Sequence, residues 1–128
     1  MKKSILVVDN DNNTRISLAK ALSADYITYT ASNGHEALDI LLGNKDIEIV
    51  LTDINMPEMD GFELLKRIRF TNKNITTIMI TGHSDIFTEN GATQKGAFAY
   101  FAKPIDLKIL DKSIQSALES KSSNSLYP

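Results

Sequence analysis

The chain has 128 residues, 42% of them hydrophobic and 23% charged, with a formal net charge of −2 and no cysteine. That length suits one domain with one core, and the balance is that of a soluble globular protein. Disulfides, thiolate metal sites and cysteine nucleophiles are excluded, and the lack of a basic bias argues against direct nucleic-acid binding by this chain.

The start is basic (Lys2, Lys3), but the apolar run over residues 5–8 stops at Asp9. It is too short for the apolar core of a signal peptide, and no run is long enough to span a bilayer, so a cytoplasmic protein free of membrane contact is expected. Residues 5–9 read as the first strand. A helix follows, with Leu18, Ala21 and Leu22 on one face and Asn12 or Asn13 as its cap. Residues 26–31 form the second strand. Ser32 or Asn33 caps a second helix whose apolar stripe is Ala37, Leu38, Leu41 and Leu42. The third strand, residues 47–53, is nearly continuous in apolar residues, the pattern of a strand covered on both faces.

Asp60 caps a third helix carrying Phe62, Leu65 and Ile68, and residues 75–81 form the fourth strand. Residues 84–95 are predicted as a fourth helix capped by Ser84, weakened by Asn90-Gly91, since a glycine inside a helix costs about 1 kcal/mol relative to alanine. Residues 98–101 are the fifth strand. A fifth helix, capped by Asp106, shows the clearest stripe: Leu107, Leu110, Ile114, Ala117 and Leu118. The Ser- and Asn-rich residues 121–128 read as a flexible tail or the start of a linker, after a domain ending near residue 120. Five βα units with right-handed crossovers give a doubly wound α/β protein, a parallel sheet in the flavodoxin-like order 2-1-3-4-5 between two layers of helices.

Asp9, Asp53, Thr81 and Lys103 fall at or just past the ends of the first, third, fourth and fifth strands. Strand ends of a parallel sheet face one way, and ligands bind along that edge. Two carboxylates brought together repel, and a hard divalent cation such as Mg²⁺, which takes one or two carboxylates and keeps several waters, relieves them. A backbone carbonyl of the following loop, that of Asn55, is the expected further ligand. Asp53 is then placed to attack a phosphoryl group, with Lys103 and the Thr81 hydroxyl stabilising the charge that develops.

These pieces together resemble the receiver domains of two-component response regulators, including single-domain chemotaxis-type ones. The matching segments are Ile5-Leu6-Val7-Val8-Asp9, Ala31-Ser32-Asn33-Gly34-His35-Glu36-Ala37-Leu38 and Thr52-Asp53-Ile54-Asn55-Met56-Pro57-Glu58-Met59-Asp60-Gly61. Ile80-Thr81-Gly82, Gly96-Ala97 and Tyr100-Phe101-Ala102-Lys103-Pro104 complete them. The resemblance covers residues 3–119. Each piece is weak alone; their order is specific. It implies that Asp53 is phosphorylated by a histidine kinase or small phosphodonor, and that Asp9, Asp53 and Asn55 hold Mg²⁺. It implies that Lys103 pairs with the phosphoryl group before a cis bond to Pro104. Thr81 would then move towards the phosphate and Tyr100 would turn with it, altering the face of the fourth helix, fifth strand and fifth helix. A downstream effector or an output domain would read that face, and a homodimer through it is a further expectation. The chain would be a phosphoacceptor that assists its own phosphorylation and dephosphorylation, not an enzyme acting on other substrates.

One position departs from the family pattern. Its second acid after the first strand is here Asn10, which can bond a metal-bound water but carries no charge, so weaker Mg²⁺ binding is expected. Asp11, one residue on, is read as pointing away. A phosphorylation-independent interaction module therefore stays open as an alternative. A flavin carrier and a nucleotide hydrolase fit less well, since no Ser/Thr/Gly-rich phosphate loop follows the first strand. His83 and His35 read as solvated residues, not a ligand pair.

Overall fold

A computed structural model describes residues 1–72, 74–82, 91–92 and 94–126 of the chain. Five strands are β1 (Ser4–Val8), β2 (Ile27–Ala31), β3 (Ile47–Asp53), β4 (Thr76–Thr81) and β5 (Ala99–Ala102). They alternate with helices α1 (Asn12–Leu22), α2 (Gly34–Gly43) and α3 (Gly61–Thr71), and a C-terminal helix (Leu107–Leu126) follows β5. All strand pairs are parallel, in the order β2-β1-β3-β4-β5, which is the doubly wound order expected. Of the expected fourth helix, Gly91, Ala92 and Gln94 are helical, and Lys95 N–H bonds to the Gly91 carbonyl at 3.0 Å. Its expected cap Ser84, with His83, lies outside the described residues.

The central strands β1 and β3 are almost wholly buried, whereas the edge strand β2 is exposed or half-buried until Ala31. On one face of the sheet, Ile5, Val7, Ile49, Leu51, Ile78 and Ile80 pack against Leu18 and Leu22 of α1 and Leu110, Ile114 and Ala117 of the C-terminal helix. On the other, Leu6, Val8 and Val50 pack against Ala37 of α2 and Leu64 and Ile68 of α3. Each of the valine, leucine and isoleucine side chains contributes about 1.5–3 kcal/mol by leaving water.

Several residue-level expectations are corrected. Asp11, rather than Asn12 or Asn13, caps α1, accepting from Thr14 N–H. Asn33 and Asp60 cap α2 and α3 as read, and Asp106 accepts from Lys108 and Ile109 N–H. In α1 the buried alanine is Ala19, one turn before Ser23, while Ala21 is turned outward. Leu42 is 66% exposed, because the stripe of α2 ends at Leu41 and Ile40 packs instead. Leu107 is likewise exposed at the first turn of its helix. That helix continues to Leu126, beyond the boundary near residue 120 suggested by composition. Lys121 holds it to the body, its ammonium donating to the Glu48 carbonyl at 3.0 Å.

Candidate functional site

The parallel sheet delivers its carboxyl-end residues to one rim. Asp9 and Asp53 are buried there, although carboxylates rarely are without a partner. Their partner is Lys103. Its ammonium donates to Asp9 Oδ2 at 2.9 Å and to Asp53 Oδ2 at 3.4 Å, so one cation bridges two acids from strands far apart in sequence. Lys103 is carried there by β5, its N–H bonded to the Thr81 carbonyl at 2.8 Å, and its peptide bond to Pro104 is cis as expected.

The other carboxylate oxygens are held by backbone. Asp11 N–H donates to Asp9 Oδ1 at 2.9 Å, and Asn55 N–H reaches Asp53 Oδ1 at 3.4 Å. Burial first, and then the negative charge of Asp9, pushes the Asp53 carboxyl above the usual carboxylate range, against the pull of Lys103. Burial opposes the Lys103 ammonium. The Asp9 hydrogen bond and the charges of Asp53 and Asp9 outweigh that, and its pKa lies above the ordinary lysine value.

Thr81 is fully buried at the end of β4, and its hydroxyl oxygen accepts from Asn55 Nδ2 at 3.4 Å. Asn55 thus touches both Asp53 and Thr81, from an exposed position on the β3–α3 loop. Tyr100 packs with Ile54, Leu65 and Met79 against the inner side of the sheet, its hydroxyl buried. It does not join the Asp9–Asp53–Lys103 cluster. Asn10 is exposed and Asp11 is committed to capping α1, where Thr14 lowers its pKa by hydrogen bonding. The two acids and the lysine therefore meet, and the residue after Asp9 adds no charge.

Two further residues shape the site and were not singled out from the sequence. Arg15 donates from Nη1 to the Asp9 carbonyl at 2.8 Å, and from Nη2 to Asn12 Oδ1. Its signal was an arginine four residues after the cap Asp11, on the turn that faces back to the strand end. Gly61 opens α3 directly over the backbone of β3, its N–H bonded to the Ile54 carbonyl at 2.8 Å. Nothing in composition or periodicity marks that contact.

The arrangement is chemically that of an oxygen-donor, anion-handling pocket. It offers two acids for a hard cation, and a lysine and a hydroxyl for an oxyanion. Among the described residues no three or more His, Cys, Asp or Glu side chains gather as a metal cluster, so a cation here would be held by few carboxylates.

Comparison with known proteins agrees with this geometry. A family model described as the response regulator receiver domain matches residues 5–115. The chain is 34% identical over 123 residues to sporulation initiation phosphotransferase F of Bacillus subtilis, covering 95% of this chain and 98% of that protein. It is 40% identical over 109 residues to the DNA-binding transcriptional regulator NtrC of Escherichia coli, covering 84% of this chain but only 23% of that one. Several curated relatives of this second kind are therefore about four times as long as the matched region. A solved response regulator receiver domain from Clostridium thermocellum superposes with a TM-score of 0.88 at 31% identity, covering 94% of this chain and 97% of that one. With sheet order, rim residues and family match in accord, the chain belongs to the response regulator receiver domain family of two-component signalling.

Proposed function

We propose that this chain accepts a phosphoryl group on Asp53, from a sensor histidine kinase, a phosphotransfer protein or a small phosphodonor, in a Mg²⁺-dependent reaction. The observation that carries the reading is the Lys103 ammonium shared between the buried Asp9 and Asp53 carboxylates.

The residues fit Mg²⁺. Their donors are oxygens, two carboxylates suffice for an ion that keeps several waters, and the carboxyl of Asp53 is raised first by burial and then by the charge of Asp9, a repulsion that a cation relieves. Asp9, Asp53 and the Asn55 carbonyl would hold it, with Asn10 bonded to one of its waters. When bound, it neutralises charge on the transferring phosphoryl oxygens. An Asp53 carboxylate oxygen attacks phosphorus as the bond to the leaving group breaks. Lys103 and the Thr81 hydroxyl hold the phosphoryl oxygens while charge spreads over them. Asn55, already bonded to Thr81, links the β3–α3 loop to that hydroxyl. The new charge at Asp53 draws Thr81 inward and Tyr100 follows, altering the face presented by β5 and the C-terminal helix. A downstream effector, an output domain or a second copy would read that face. Cytoplasmic location follows from the role, and no described helix is long and apolar enough to cross a membrane.

The test is intact mass after incubation with Mg²⁺ and acetyl phosphate. Wild type should gain one phosphoryl group and Asp53→Ala none. A wild type that stays unmodified, with Mg²⁺ in excess and a histidine kinase supplied as alternative donor, overturns the reading. It would favour a phosphorylation-independent interaction module, the reading for which the uncharged, exposed Asn10 speaks.

A further inference from the structure

The outer surface of α3 carries a groove of about 790 Å³ lined by Asp60, Phe62, Glu63, Lys66, Arg69, Phe70 and Lys95. It runs from the first turn of the helix to its last, away from the Asp53 rim. Phe70 is 91% exposed. A phenylalanine on a helix that already buries Leu64, Leu65 and Ile68 gains nothing for the fold in that position. A second ring, Phe62, lines the same groove, with the Lys95 ammonium 4.6 Å from its centroid.

The charges are lopsided. Both acids of the groove are engaged within α3 itself. Asp60 accepts from Glu63 N–H at 2.8 Å, and Glu63 is paired with Arg67 at 3.1 Å. The three cations Lys66, Arg69 and Lys95 have no carboxylate within ion-pair distance among the described residues. Arg69 instead lies across Gly96, where a β-carbon would overlap its guanidinium, and reaches the Lys95 carbonyl at 3.3 Å. In a chain of net charge −2, this groove thus gathers three cations outside any ion pair against a single such acid, the helix-capping Asp60, beside two aromatic rings.

We propose that this groove docks an acidic peptide segment of a partner protein, with carboxylates over Lys66, Arg69 and Lys95 and an apolar side chain against Phe70 and Phe62. Aromatic and arginine side chains are the usual anchors of protein recognition, and a positive groove selects and steers an acidic partner. The surface is separate from the Asp53 centre, so the proposal stands or falls without phosphorylation.

The experiment uses the unphosphorylated chain, ¹⁵N-labelled, titrated with a synthetic 14-residue amphipathic peptide of glutamate, leucine and phenylalanine. Amide shifts should cluster at residues 62–70 and 95–97 and saturate. Lys66→Glu/Lys95→Glu should weaken binding roughly tenfold or more, and 0.5 M salt should do the same. Phe70→Ser, which removes an exposed side chain, should weaken it with unchanged thermal stability. A control peptide with lysine in place of glutamate should not bind. Absence of shifts at millimolar peptide, equal binding by the charge-reversed variant, or equal binding of the lysine peptide overturns the proposal. So does concentration-dependent dimerisation abolished by Phe70→Ser, which would assign the groove to a second copy of this chain.

Discussion

A β-carbon on Gly61 would lie 2.4 Å from the carbonyl oxygen of Asp53 and 2.8 Å from Ile54 Cα. Both obstacles are backbone and cannot swing aside. The first residue of α3 is thereby pressed onto the strand end that carries the Asp53 carboxylate, with Gly61 N–H to Ile54 carbonyl sealing the contact. Alanine is the better helix former by up to about 1 kcal/mol, but here forced displacement of β3 outweighs that. Gly61→Ala is expected to lose about 1–3 kcal/mol in urea unfolding and to slow modification of Asp53 by acetyl phosphate.

Asp53 titrates against its own fold. Its carboxyl is raised by burial and by Asp9, so the folded state favours the protonated form. The associated stability is fully present below the ordinary carboxylate range and is lost as pH rises through the raised value. Without divalent cation, Asp53→Asn should therefore be more stable than wild type at pH 7, by roughly 0.5–2 kcal/mol, the range typical of relieving a functional-site cost. The gain should shrink as pH falls towards 3. Urea midpoints in EDTA across that range check it, and a constant gain would show that charge is not its source.

Asn10 leaves the rim with one carboxylate fewer than the family pattern. Restoring it in Asn10→Asp should tighten Mg²⁺ roughly tenfold, since an added charged ligand is the main lever on affinity for a hard cation. Calorimetric titration of both proteins decides it; equal dissociation constants would reject any role for this position.

Tyr26 is buried between α1 and the C-terminal helix, donating to Asp111 Oδ1 and accepting from Gln115 Nε2 at 2.6 Å. Burial, with the Asp111 hydrogen bond, raises its pKa to about 12. The folded state prefers the neutral phenol, so its contribution is complete below about pH 10 and is lost as pH climbs towards 12. Tyr26→Phe should be less stable by about 1 kcal/mol at pH 7 and should show a flatter decline between pH 10 and 12. Parallel slopes would refute the assignment.

Glu58 has φ of 68°, the left-handed region, in the loop between Asp53 and α3. Such a conformation costs a non-glycine residue roughly 1–2 kcal/mol, and glycine forfeits about 0.5–1 kcal/mol of that in the unfolded chain. Glu58→Gly should stabilise the protein by up to about 1 kcal/mol in thermal unfolding.

Strand order, the rim residues and most caps were legible in the sequence. Buried parallel strands are continuous apolar runs, and the carboxyl end of each is the next polar residue, so Asp9, Asp53, Thr81 and Lys103 follow from one-dimensional pattern. Helix faces were less legible. Ala19 in place of Ala21, and Ile40 packed where Leu42 was expected, differ by two residues, a shift that apolar composition alone does not resolve on a 3.6-residue repeat.

Only the tertiary structure decided which groups share a partner. That Lys103 bridges both acids, that Arg15 holds the Asp9 carbonyl, and that Gly61 is needed against Asp53 are all contacts between different elements. A single chain encodes periodicity locally, because side-chain direction repeats along the backbone. The distance between two side chains on separate elements depends on how those elements pack, and that is set by the whole core at once.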